Sequence, residues 1–200
     1  SMDAATRANL ELTRTLGGDR QGSLLSVIDR TVTPVGARLL ADHLRNPLQN
    51  VAAINQRLEV VAWLVSADGA RDNLRRQLKA IPDIARALSR LALDRGGPRD
   101  ILALRDGLAA IRALAVWLRH TLDEDLNAAP ILMVEALEGL EALPAALEHL
   151  LVSALADDVP LLARDGGFVM AGYNRELDEL RDLRDQSRQV SAGLQGQYAD

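Results

Sequence analysis

The stretch ILALRDGLAAIRALAVWLRHTL, residues 101–122, decides the fold class of this 200-residue chain. Its apolar residues recur at alternating intervals of three and four, which places them on one face of a helix about three heptads long. These residues are Ile101, Leu104, Leu108, Ile111, Ala115, Leu118 and Leu122. Charged residues such as Arg105 and Asp106 fill the other face. The pattern predicts a long helix whose apolar face is buried against other helices.

Similar patterns lie on both sides of this stretch. Upstream, the same alternation is shown by Val51, Ile54, Leu58, Val61 and Val65, and we expect this face to be buried against another helix. An earlier helix is predicted to start at Thr33-Pro34, which fit an N-cap and a first helical residue. It should end at Asn46-Pro47, because a residue before proline avoids the α region. Three prolines, Pro130, Pro144 and Pro160, divide the downstream part into shorter helices.

The composition favours the same fold class. Apolar residues make up 48% of the chain and aromatic residues only 2%, so the core must consist of Leu, Ala, Val and Ile. Sandwiches and barrels depend more on β-branched and aromatic residues. The stretch GGFVMAGY, residues 166–173, is the only short candidate for extended chain. We therefore predict an all-α fold, a multi-helix bundle core with a long protruding lever helix.

The last predicted helix differs from the others. Asn174 can cap it, and its apolar residues form a narrow stripe of Leu177, Leu180 and Leu183. Residues 184–189 are polar all round, which suits a helix that leaves the globular body. We assign residues 3–172 to the body and 173–200 to the start of the lever, with a frayed tail as the alternative. Residues 1–2 resemble the remnant of an expression tag.

The bulk composition removes several function classes. Absence of cysteine excludes thiol nucleophiles, thiolate metal sites and disulfides, and it fits a reducing compartment, so we expect a cytoplasmic protein. No apolar run approaches the ~20 residues of a membrane span, and no signal peptide is evident. The net charge of −5 gives no basic excess of the kind common in nucleic-acid binders.

The stretch LGGDRQGSLL, residues 16–25, has nearly the spacing of a phosphate-binding loop. Such a loop requires a lysine and then a hydroxyl residue after its last glycine, between a strand and a helix. Here Ser23 stands where the lysine should be, Leu24 follows, and no strand precedes. A nucleotide site is therefore rejected in favour of a glycine-rich turn between helices.

No other pattern supplies an active site. The histidines, His43, His120 and His149, are too far apart in sequence to form a zinc pair. His120 with Asp123 and Glu124 could gather a cation, but a solvated helix end explains this cluster better. We predict no catalytic, cofactor-binding or metal-ligating residue.

One charged face is a candidate for binding a partner. Four cations share a face of the helix around residues 71–79, namely Arg71, Arg75, Arg76 and Lys79. They could contact phosphates or an acidic partner, and a solvated face is the alternative.

Several stretches resemble the core domain of the bacterial MutS mismatch-repair proteins. In chain order they are DAATRANLELT (3–13), GSLLSVIDRTVTPVGARLLADHLRNPL (22–48), INQRLEVVAWLV (54–65), DIARALSRLALDRGGPRD (83–100) and DGGFVMAGYNRELDELRDLRD (165–185). These blocks appear in the order of the family and cover nearly all of residues 3–200. The block from Ile28 to Leu40 is the most specific.

The resemblance implies the core and ascending lever of a homodimeric clamp that recognises mismatched DNA. The mismatch-reading Phe-x-Glu motif is missing, because Val169 and Met170 follow Phe168, and no Walker-type loop is present. ATP and Mg²⁺ are therefore implied for the full-length protein and not for this chain. The leucine stripe would root the lever in the body. A stand-alone helical interaction module, docking through the basic face, is the alternative reading.

Overall fold

The computed structural model describes residues 3–123 and 129–198, with the backbone alone at residue 4 and residues 192–198. The helices are α1 (Ala4–Asn9), α2 (Leu24–Ile28), α3 (Pro34–Arg45), α4 (Val51–Ser66), α5 (Asp68–Ala80), α6 (Ile84–Ala92), α7 (Pro98–Asp123), α8 (Ile131–Glu141), α9 (Ala145–Ala154) and α10 (Arg175–Tyr198). A 3₁₀ turn spans Ala163–Asp165. In the described ranges the only β-structure is an isolated antiparallel bridge between Leu155 and Val169. The predicted all-α class is confirmed.

Helix α7 is the centre of the bundle, as its apolar pattern predicts. Helices α5, α6, α8 and α9 all pack against it. Towards its C-terminal end, Leu118 belongs to a buried cluster that consists of Ala115, Leu118, Leu122, Met133 and Leu137. Towards its N-terminal end, Leu108 forms a second cluster with Leu151 and Leu155. The single long helix thus organises both halves of the core.

Helix α6 packs closely on α7 at Gly107. A Cβ atom added at this position would lie 2.4 Å from the Cδ1 atom of Ile84 and 2.6 Å from its Cγ1 atom. Glycine in a helix interior normally costs stability, but here it lets Ile84 pack directly on the backbone of α7. The contact fixes how α6 lies on the central helix.

Most of the predicted helix boundaries are also observed, but Pro160 lies between α9 and the 3₁₀ turn and does not separate two α-helices. The Thr33 Oγ1 atom accepts a hydrogen bond from the Gly36 amide at 3.0 Å, and Pro34 is the first residue of α3. Helix α3 ends at Arg45, and Pro130 and Pro144 directly precede α8 and α9. Among the described residues, no helix is both long and apolar enough to span a lipid bilayer.

The predicted burial of one face of α4 is wrong. Val51, Leu58, Val61 and Val65 are between 55% and 69% exposed, and only Ile54 of this set is half-buried. Helix α4 instead packs on the core with Val60 and Trp63, which contact the cluster around Leu118. A tryptophan buries more apolar area than an aliphatic side chain, so Trp63 determines which face turns inwards.

Candidate functional site

Helix α10 is attached to the body by hydrogen bonds to the residues just before it. The attachment is built around residues 166–173, which we call the joint segment. Three glycines of this segment have positive φ angles, +70° at Gly166, +79° at Gly167 and +85° at Gly172. Side chains other than glycine rarely adopt this conformation, so the glycines set the two ends of the extended part between them.

The middle of the joint segment is hydrogen-bonded to the body. The Ala156 amide donates to the Phe168 carbonyl oxygen at 3.0 Å, and the Met170 amide donates to the Ala154 carbonyl oxygen at 2.8 Å. These two bonds flank the bridge between Leu155 and Val169. The extended conformation predicted for residues 166–173 is therefore found as a single bridge.

Phe168 anchors the joint segment in the core. It is the only phenylalanine of the chain, and it packs against the buried cluster of Leu108, Leu151 and Leu155. The residues after Phe168 do not match the mismatch-reading motif of the family. In the structure, its side chain contacts the core of the body instead. The packing of this half-buried ring adds apolar contact to the two backbone hydrogen bonds that hold the segment.

Arg105 of α7 contacts residues 155–157, the part of the body that is hydrogen-bonded to the joint segment. Its Nη1 atom lies 3.5 Å from the Leu155 carbonyl oxygen, 3.4 Å from the Ala156 carbonyl oxygen and 3.3 Å from the Asp157 Oδ1 atom. The sequence pattern assigned Arg105 to the charged, outer face of the helix. Its side chain is instead half-buried. The pattern could not show this, because the partners are backbone carbonyls 50 residues away in sequence.

Two polar side chains attach α10 to the joint segment. The Arg181 Nη2 atom donates to the Val169 carbonyl oxygen at 2.9 Å, while its Nη1 atom donates to Asp178 at 3.0 Å. The Asp178 Oδ2 atom accepts from the Gly172 amide at 2.7 Å. Asn174 caps α10 as predicted, since its Oδ1 atom accepts from the Leu177 amide at 3.0 Å. Together, Asp178 and Arg181 form what we call the polar latch.

The predicted leucine stripe contributes less to these contacts. Leu177 is half-buried, whereas Leu180 and Leu183 are exposed in the described structure. Its role in rooting the lever stays a prediction. The polar latch was missed, because Asp178 and Arg181 look like any other charged residues of α10, although their i, i+3 spacing does place them on one helix face.

The predicted basic face is partly occupied by internal contacts. Arg71 pairs with Asp68 and donates to the Leu64 carbonyl oxygen. Arg75 donates to the Arg30 carbonyl oxygen at 2.9 Å. Arg75, Arg76 and Lys79 are exposed, so a partner for this face would contact these three residues first.

The glycine-rich stretch around Gly17 is a turn, as predicted. The Thr15 amide donates to the Asp19 carbonyl oxygen at 2.8 Å, and Gly18 has a φ of +89°. The turn connects α1 to α2, so no strand precedes it in the described residues.

The residues that the structure describes show no metal-ligand cluster, and the carboxyl groups with shifted pKa values have them lowered. Over residues 3–123 and 129–198, no three His, Asp or Glu side chains are grouped as a metal site would require. His120 and Asp123 lie at the end of α7, and Glu124, the third member of the predicted cluster, lies outside the described residues. Hydrogen bonds from Arg38 lower the pKa of Asp83, which is the effect of an ion pair and not of a cleft.

The comparison with known families agrees with the resemblance described in the sequence analysis. The sequence matches the family described as MutS domain III over residues 5–196. The matched range includes the central helix α7, the joint segment and nearly all of α10. The chain therefore belongs to the MutS domain III family, the core domain of MutS-type mismatch-repair proteins.

Proposed function

We propose that this chain couples the ATPase of a MutS-type protein to its grip on mismatched DNA, and that it has no catalytic site of its own. The observation that carries the proposal is a continuous set of contacts from the centre of the body to α10. Arg105 connects α7 to residues 155–157, the bridge connects these residues to Val169, and Arg181 connects Val169 to α10. A change in the packing of α7 thus has a direct path to the lever.

The length of α10 makes this path useful. Its 24 residues would extend roughly 36 Å at 1.5 Å per residue. If α10 moves as a rigid rod, a rotation of about 10° at the joint segment shifts its far end by about 6 Å. A small repacking in the body is thereby converted into a displacement large enough to open or close a clamp.

The proposal divides the work of the whole protein among its domains. ATP and Mg²⁺ bind in the ATPase domain, and the mismatched base is read by another domain, in keeping with the lack of a Phe-x-Glu reader after Phe168. The full-length protein acts as a homodimer. In this chain, nucleotide state shifts the population of two body conformations, and α10 follows that shift.

This division of labour predicts that the chain does not discriminate mismatched DNA. In fluorescence anisotropy with labelled duplexes, we expect equal affinity for matched and mismatched DNA, and any binding should weaken steeply with salt. A duplex with an unpaired base serves as a second substrate. A preference of tenfold or more for the mismatched duplex would contradict the proposal, because the chain would then read DNA itself.

A further inference from the structure

A cavity of about 530 Å³ opens between residues 13–25 and helix α3. Its lining includes four arginines, Arg14, Arg20, Arg38 and Arg45, which we call the arginine pocket. Asp42 is the one acid in that lining. The chain as a whole has 28 acidic residues against 23 Lys and Arg, so this concentration of positive charge is a local feature.

Two of the four arginines are held in place by acids outside the lining. Arg38 makes two hydrogen bonds to Asp83, at 2.9 Å and 2.8 Å, and the Arg20 Nη2 atom lies 2.6 Å from Asp29. A guanidinium group carries five N–H donors, so each side chain keeps donors that these acids do not use. Fixing the side chains in advance reduces the entropy that a ligand would lose on binding.

The other two arginines form no ion pair with an acid in the described residues. The Arg14 Nη1 atom donates to the Gly18 carbonyl oxygen at 2.8 Å, a neutral acceptor. Within the part of the chain that the structure describes, no acid pairs with Arg45. Asp42 already accepts a hydrogen bond from Asn46 at 3.0 Å. Donors therefore outnumber acceptors in the cavity.

The position of Arg45 can be explained by the electrostatics of helix α3 alone, but the positions of Arg14 and Arg20 cannot. A cation in the last turn of α3 is favourable next to the helix C-terminus. That effect does not account for Arg14 and Arg20, which come from the segment between α1 and α2 and line the same cavity. Convergence from two separate segments is what a ligand site requires.

We propose that the arginine pocket binds a phosphate group through Arg14 and Arg45, with Arg20 and Arg38 as fixed walls. A phosphate group presents two non-bridging oxygens in a DNA backbone and up to four in inorganic phosphate, with one or two negative charges, and the planar donor fork of a guanidinium group matches such oxygens. The glycine-rich turn at residues 17–22 lies beside the pocket. It lacks the lysine of a phosphate-binding loop, and the arginines provide the positive charge from the side.

Isothermal titration calorimetry with inorganic phosphate, against chloride at equal ionic strength, tests the proposal. Arg14→Gln and Arg45→Gln should each weaken phosphate binding about tenfold, the usual effect of losing one charged hydrogen bond. Arg57→Gln is the matched control, because this exposed arginine of α4 lies outside the cavity lining. The proposal would be overturned if titration with phosphate released the same heat as titration with chloride. It would also be overturned if the Arg45→Gln and Arg57→Gln variants bound phosphate with equal affinity.

A second experiment identifies the source of the phosphate. If a labelled DNA duplex binds, is displaced by inorganic phosphate and is lost in Arg45→Gln, the pocket takes a backbone phosphate. If phosphate binds with the expected variant effects and the duplex does not compete, the ligand is a small phosphorylated molecule. Both results support a phosphate site. If neither inorganic phosphate nor the duplex binds, the proposal is wrong.

Discussion

The Leu118→Ala variant should lose about 3 kcal/mol of unfolding free energy, within the range of 2–5 kcal/mol for buried leucines. Leu118 is 2% exposed and contacts the cluster that joins α7 to α8. Removing its side chain eliminates buried apolar area and leaves a cavity, and the rigid helices around it can close that cavity only in part. Denaturant unfolding followed by circular dichroism measures the change.

The neighbouring Val116→Ala variant is the control for this result. Val116 lies on the same helix and is 68% exposed, so its loss should change stability by less than about 0.5 kcal/mol. Equal effects of the two substitutions would show that α7 is not the centre of the core.

Gly107→Val should destabilise the chain by about 2 kcal/mol, because overpacking a core typically costs 1–3 kcal/mol. The new Cβ atom would meet Ile84 at 2.4 Å, and the two added methyl groups need further space between α6 and α7. Ile84 would have to leave its position on the backbone of α7. The melting temperature and the denaturation midpoint should both fall.

Gly139→Val is the matched control for steric conflict. Gly139 lies in α8, and a Cβ atom there has no neighbour within 4 Å. Valine has a higher helix propensity than glycine, so this variant should be stabilised by a few tenths of a kcal/mol. A neutral Gly107→Val would mean that α6 does not pack as closely as described.

The helices could be predicted from the sequence where the signals are local. The cap at Thr33, the prolines before α8 and α9 and the regular spacing on α7 each depend on a few neighbouring residues. The inward face of α4 could not be predicted in this way. Periodicity identified five aliphatic residues, but the tertiary packing selected Trp63, since side-chain size and the shape of the core decide such a choice.

The candidate site was only partly predictable for a related reason. Asn174 and the extended stretch at residues 166–173 were identified from the sequence. Their connections to Arg105 and Arg181 were not, because each of these arginines donates to backbone carbonyls that carry no sequence signature. The family resemblance implied a lever at residues 173–200, but it did not show which side chains attach α10 to the body.

The central claim is that the polar latch sets the orientation of α10 on the body. Since the chain has no cysteine, Ala109→Cys and Ser187→Cys provide the only two thiols for spin labels, on the exposed sides of α7 and α10. Pulsed electron paramagnetic resonance then measures the distance distribution between them. We compare Arg181→Gln, which removes the bond to Val169, with Arg175→Gln.

Arg175 is the matched control, because its guanidinium pairs with Glu179 on the same helix and not with a carbonyl of the joint segment. The account predicts a broad distance distribution for Arg181→Gln and a narrow one, equal to that of the parent chain, for Arg175→Gln. Equally narrow distributions for both variants would contradict it, because α10 would then be held by something other than the latch.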